Sequence, residues 1–85
     1  MTPRSIIKPH FHLTSDVIIS IRLKFYEAML RQGESCASIG RRLGCTRHYI
    51  NHIISCRRTN ISLQKEVCNH LGLKWENVFG PYYHE

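Results

Sequence analysis

Capping residues and glycines divide this chain more sharply than any other feature. Thr14, Ser15 or Asp16 opens a stretch that Gly33 closes, and Ser35 opens one that Gly44 closes. Thr46 opens a third, reaching about Ser55, and Asn60 or Ser62 opens a fourth that Gly72 closes. A side-chain oxygen at a helix start accepts first-turn backbone N–H groups that lack an intrahelical partner. A glycine at the end takes the positive φ that stops the helix. Between these marks the apolar residues recur at helical spacing, as Leu63, Val67 and Leu71 do at i, i+4 and i+8. "WENVF" leaves room for one more turn before Gly80-Pro81 ends the packed region. The expectation is an all-α chain of five short helices.

With 85 residues, of which 42% are hydrophobic, there is enough chain for one small core. Residues 14–80 form the expected domain, 1–13 an N-terminal arm and 81–85 a C-terminal tail. The arm carries two prolines and no helical period, and its "HFHL" alternates polar and apolar as one short extended segment would. The longest unbroken apolar run in this part of the chain is Val17-Ile18-Ile19, far short of a signal-peptide core or a membrane span. A cytoplasmic protein without a membrane partner is expected. The cysteines at 36, 45, 56 and 68 agree, since none forms a C-x-x-C pair.

Net charge is +6, and all of the excess lies in one window. From Ser35 to Lys65 there is no Asp or Glu, while Arg41, Arg42, Arg47, Arg57, Arg58 and Lys65 are all basic. Elsewhere six basic residues balance six acidic ones. A solvated basic face is one explanation. A polyanionic partner accounts better for self-repulsion concentrated in the middle of a small domain.

That window holds "CASIGRRLGCTRHYINHIIS", residues 36–55, which has a helix-turn-helix pattern. Ile39 and Leu43 lie one turn apart, with Gly40 small where a second helix must approach. Gly44 makes the turn, and Cys45 reads as a small buried plug. Ile50 and Ile53, with Ile54 beside them, face back to the core and leave Arg47, His48, Asn51 and His52 outward. Such positions meet base edges in the major groove. Arg47 can bond guanine bidentately, Asn51 can do the same to adenine, and His48 and His52 can donate or accept. Arg41, Arg42, Thr46, Tyr49, Arg57 and Arg58 suit phosphates, which fix register. Two helices with a glycine between them also make an ordinary αα-hairpin; the acid-free charge on the same residues favours double-stranded DNA.

Residues 16–79 resemble the lambda-repressor-like (Cro-type, XRE) helix-turn-helix family. "RQGESCASIGRRLGCTRHYINHII" is similar to that family's second and third helices, and "NHLGLKWENVFG" to its ending. The tail "WENVFGPYYHE" is also similar to small Ner-type regulators of transposing phages. The resemblance implies a five-helix lambda-repressor-like DNA-binding domain, often dimeric, that binds operator DNA near the nucleoid as a transcriptional regulator. With no ligand-sensing domain, repression by occluding a promoter is the simplest mechanism. Two positions depart from the pattern. Cys36 stands where a phosphate-bonding Gln is common, and Cys56 where a Gly usually ends the recognition helix.

Other chemistries find less in the sequence. His48-x₃-His52 has zinc-ligand spacing and His10-x-His12 could share one side of an extended segment, but no cysteine pair accompanies either, and no metal or other cofactor is expected. Cys45 and Cys68 read as small core residues. No nucleophile motif, phosphate loop or paired carboxylate appears, so the chain does not read as an enzyme, and no small-molecule ligand is expected. RNA binding would call for exposed aromatic platforms that the basic window lacks. The alternative is a protein-interaction module, such as an antirepressor or an antitoxin.

The first helix carries a surplus. Ile18, Ile21, Phe25, Ala28 and Met29 form one apolar stripe, and Ile19, Leu23, Tyr26 and Leu30 a second about 140° away. The second stripe needs a cover: the arm, through Ile6, Ile7, Phe11 and Leu13, or another copy of the chain. One extended segment wants a partner edge. The expectation is a homodimer in which arms and first helices meet, reading a palindromic site.

Overall fold

Every one of the four longer helices begins with a side chain closing its first turn. In the computed structural model, which describes residues 10–11 and 13–84 (10, 11 and 84 by backbone alone), α1 spans Ser15–Gln32. Thr14 Oγ1 accepts from the Val17 N–H at 3.3 Å. Helix α2 spans Cys36–Leu43 behind a reciprocal box: the Ser38 N–H donates to Ser35 Oγ at 3.1 Å, and the Ser35 N–H to Ser38 Oγ at 2.8 Å. Helix α3 spans Arg47–Ile54 behind Thr46, and α4 spans Ile61–His70 behind Asn60. Helix α5 is the single turn Trp75–Val78. Gly33 and Gly44 stop α1 and α2 with φ of 67° and 76°.

The core is the set of stripes these helices turn toward one another. Ile21, Phe25, Ala28 and Met29 of α1 are buried, while Ile18 is half-buried at the stripe's edge. Ile39 of α2, Ile50, Ile53 and Ile54 of α3, and Leu63, Val67 and Leu71 from α4 meet them. Phe79 closes the far side against Phe25, with ring centroids 5.7 Å apart. Leu43 and Cys45 are half-buried against this core rather than enclosed by it, so Cys45 is a partial plug. Cys68 is fully buried.

The packed region runs past Gly80-Pro81. A 3₁₀ turn over Gly80–Tyr82 carries Pro81 where no N–H is required, and the Tyr82 N–H donates to Phe79 O at 3.0 Å. Tyr82 is half-buried against the core. The chain then forms β2 (Tyr83–His84), antiparallel to β1 (His10–Phe11), with His10 opposite His84 and Phe11 opposite Tyr83. The extended segment read from "HFHL" thus finds an edge in the chain's own tail. Ile6, Ile7 and His12 lie outside the described residues. Leu13 is half-buried against the core. Among the described residues no helix is long and apolar enough to cross a membrane.

Several polar ties cross between helices. Gln64 is buried in α4, and its Oε1 accepts from Trp75 Nε1 at 2.9 Å. Gln32 Nε2 donates to Leu71 O at 2.7 Å, satisfying a carbonyl at the end of α4. Between α1 and α2, Glu34 accepts from Ser38 Oγ at 2.5 Å and its other oxygen sits 2.9 Å from His70 Nε2 of α4. The Ser38 hydroxyl, then the His70 ring, hold the Glu34 carboxyl below its usual range.

A depressed carboxylate contributes stability that is complete above the unfolded-state value, about 4.3 for Glu, and is lost as pH falls through the lower folded value. Glu34→Gln should therefore melt below the parent at neutral pH. The difference should close as pH drops beneath the ordinary carboxylate range. Circular-dichroism melts at a series of pH values check this; a gap that stays constant into strong acid would contradict it.

Candidate nucleic-acid interface

Gly40 sets the geometry of α2 against α3. A Cβ built there would lie 2.5 Å from Cys45 O and 3.3 Å from Thr46 C, so the turn's backbone rests directly on the helix. The Cys45 N–H donates to Gly40 O at 2.8 Å across the same contact. Only three residues, Gly44 to Thr46, join the helices. The arrangement is two short helices joined by a tight, glycine-containing turn that packs directly on the first of them.

With Ile50, Ile53 and Ile54 buried, 3.6 residues per turn leaves one contiguous arc of α3 outside. Arg47, Asn51 and His48 are exposed on that arc and His52 is half-buried at its edge. All four expected base-reading positions therefore share one face. Arg41 and Arg42 are exposed in the last turn of α2, and Arg57 and Arg58 are exposed just beyond α3. The arginines thus bracket the arc from both ends in sequence. No acidic residue stands in the first turn of α2, α3 or α4, and Arg47 itself occupies the first position of α3. A cation there opposes the helix dipole, a local cost that an external anion would offset.

Two expected phosphate contacts also have structural duties. Thr46 Oγ1 accepts from the Tyr49 N–H at 3.1 Å, which leaves its own hydroxyl hydrogen available to a ligand. Tyr49 is half-buried, its ring lies 5.9 Å from the Arg58 guanidinium, and its hydroxyl oxygen accepts from Asn60 Nδ2 at 3.1 Å. Asn60 is the residue that sequence reasoning undervalued. Its Oδ1 caps α4 by accepting from the Leu63 N–H at 3.0 Å, while its amide nitrogen anchors Tyr49 of α3. The cap was legible; the second bond, in which the amide nitrogen donates to a residue of another helix, was not.

Cys56 resolves how α3 ends where no glycine stands. It adopts φ of 62°, a left-handed conformation uncommon outside glycine. Its N–H donates to Ile53 O at 3.2 Å and the Arg57 N–H to His52 O at 2.8 Å, the double closure of a Schellman motif. Helix α3 stops at Ile54 as though the glycine were present. Burial pushes the Cys56 thiol up to about 11, so at neutral pH little of it is thiolate. Cys68 is pushed up to about 12, by burial first and then by Glu76. Burial also raises Cys36. Among the described residues no group of three or more His, Cys, Asp or Glu could hold a metal ion.

Neither protein-family models, nor curated proteins, nor solved structures give a match to this chain.

Two substitutions test the packing that presents the arc. Gly40→Ala should cost about 1–3 kcal/mol, because the new methyl meets backbone that cannot rotate away. Ile53→Ala should cost about 2–5 kcal/mol through lost burial and the cavity left behind. Urea titrations measure both. Gly40→Ala with an unchanged midpoint would show that the turn does not rest on α2.

Proposed function

We propose that this chain is a sequence-specific double-stranded-DNA-binding regulator of transcription with a lambda-repressor-like domain. In this reading α3 lies in the major groove and binding at a promoter represses by occlusion. The observation that carries the reading is the exposed α3 arc of Arg47, His48 and Asn51, with His52 at its edge, set between exposed arginines in a window without acids. A duplex offers a regular phosphate path with base edges recessed between, and the arc and its flanks offer complementary chemistry in the same order.

The roles divide by chemistry. Arg47 and Asn51 read bases, with His48 and His52 at the margin of the same face. Arg41, Arg42, Arg57 and Arg58 hold phosphates, as do the hydroxyls of Thr46 and Tyr49. Tyr49 is the best-fixed of these, because Asn60 donates to its hydroxyl oxygen and leaves the hydroxyl hydrogen uncommitted by that bond. Affinity then comes largely from counterion release and specificity from few side chains.

Selection from a randomised duplex pool supplies the cognate site, and two variants then separate the roles. Arg47→Ala should weaken cognate binding by about 1–3 kcal/mol, relax preference at one base pair and barely affect random DNA. Arg57→Ala should weaken both about equally and reduce the slope of log K against log salt by about 0.9. Equal losses for Arg47→Ala on cognate and random DNA would overturn the assignment. A pool that yields no preferred site, with salt-insensitive binding to protein instead, would favour the interaction-module reading.

A further inference from the structure

Leu30 is 85% exposed and Leu23 61%, and Ile19 and Tyr26 are exposed beside them. Four large apolar side chains on one face of α1 form the kind of contiguous patch that marks an interface. The described part of the arm leaves them uncovered, since β1 pairs with β2.

Their spacing and their flanking charges specify the occupant. Positions 19, 23, 26 and 30 follow the 4-3-4 alternation of a coiled-coil seam, with Ile19 and Tyr26 at d and Leu23 and Leu30 at a. Arg22 then falls at g and Glu27 at e, five residues later. In a parallel pair, g of one helix meets the following e of the other, so Arg22 of each copy reaches Glu27 of the second copy, twice by symmetry. In an antiparallel pair g meets g and e meets e, which sets Arg22 near Met29 and Glu27 near Ser20, with no ion pair.

Within one copy, Arg22 and Glu27 each contact a neighbour four residues on in the same helix. The Arg22 guanidinium lies 5.5 Å from the Tyr26 ring centroid, its Nη2 donates to the Tyr26 hydroxyl at 3.3 Å, and its buried Nε has no hydrogen-bond partner. Glu27 sits 3.5 Å from Arg31 in a solvent-exposed pair that holds it weakly. The buried stripe of α1 lies about 140° from the seam, so two cores packed on their own helices point away from each other. The seam ends where the next a position is Asp16, in the first turn, and the next d position is the capping Gly33. It is about 16 Å long.

We propose that α1 is a homodimerisation helix. Two copies pair in parallel and in register through Ile19, Leu23, Tyr26 and Leu30, and two Arg22–Glu27 ion pairs close the edges and set the orientation. This does not rest on DNA binding; either reading can fail alone. A seam this short lies at the small end of interfaces, so the dimer is expected to be weak and concentration-dependent.

Sedimentation equilibrium of the full chain from about 1 to about 500 μM at low salt tests it. The expected result is a reversible monomer–dimer equilibrium that Leu23→Glu and Leu30→Glu each weaken at least about a hundredfold. Both positions are exposed, so the melting of dilute protein should be little changed; if Leu23→Glu fails to fold, Leu30→Glu decides. A monomer throughout would overturn the proposal and leave the face to another partner. A dimer indifferent to both variants would overturn it equally. Charge reversal tests orientation: Arg22→Glu and Glu27→Arg should each weaken the homodimer about tenfold, and the two variants mixed should pair with each other in preference to themselves. Random pairing in the mixture would refute the parallel register.

Discussion

The backbone of one turn resting on Gly40 is the contact from which the rest of this structure can be reasoned. With no side chain at 40, Cys45 O lies only 2.5 Å from where a Cβ would stand, and α3 is drawn against α2 after only three connecting residues. That approach brings Ile50 and Ile53 toward Ile39, and their burial in turn determines which side chains of α3 are left outside. A looser junction would let α3 rotate about its own axis, and the arc of Arg47, His48 and Asn51 would lose its fixed aim. Close packing transmits a local steric fact into an orientation because protein interiors have little free volume in which to relax it.

Hydrogen bonds then remove the freedom that packing leaves. Asn60 joins the start of α4 to Tyr49 of α3, Gln64 joins α4 to Trp75 of α5, and Gln32 of α1 reaches the end of α4. Of these amides Gln64 is fully buried, so its bond to Trp75 avoids the cost of an unsatisfied group as well as adding a contact. Helix α4 and its two capping residues, Asn60 and Leu71, take part in all three ties. It works as the strut behind the α2–α3 pair, although nothing in its own amphipathic pattern marks it as more than a core helix.

Features that obey local rules were readable from the chain. The caps at Thr14, Ser35 and Thr46, the glycine stops, and the buried isoleucines follow from spacing and from backbone chemistry within a few residues. Features that depend on distant partners were not. Gln64 sits in sequence like any surface glutamine, and only the arrival of Trp75 eleven residues later makes its burial affordable. Tyr83 and His84 gave no strand signal, because a two-residue pairing is decided by where the segment at His10 lies and not by propensity. Cys56 shows a third case: the closing hydrogen bonds of α3 force a left-handed residue there, and a half-buried thiol carries a strain that glycine would not. The position of the α3 arc was legible; how firmly Tyr49 is held within it was not.

Helix α1 supports the core with one stripe and leaves another in water, and this division bears on how the proposed activity would be controlled. A single domain with one reading helix gains affinity mainly from phosphates, which carry little sequence information. Joining two such domains makes the second binding event intramolecular, so that a weak contact between proteins multiplies the discrimination of each half. The weakness is useful in itself. On these proposals, a seam of four side chains with edges closed by screened ion pairs would leave the free protein largely monomeric when dilute, and a two-fold DNA site would stabilise the pair by mass action. Occupancy would then rise more steeply than in proportion to protein concentration. On the two proposals taken together, the exposed stripe is the element that converts a modest DNA-binding domain into a concentration-sensitive one, which explains why a chain this small would tolerate Leu30 in solvent.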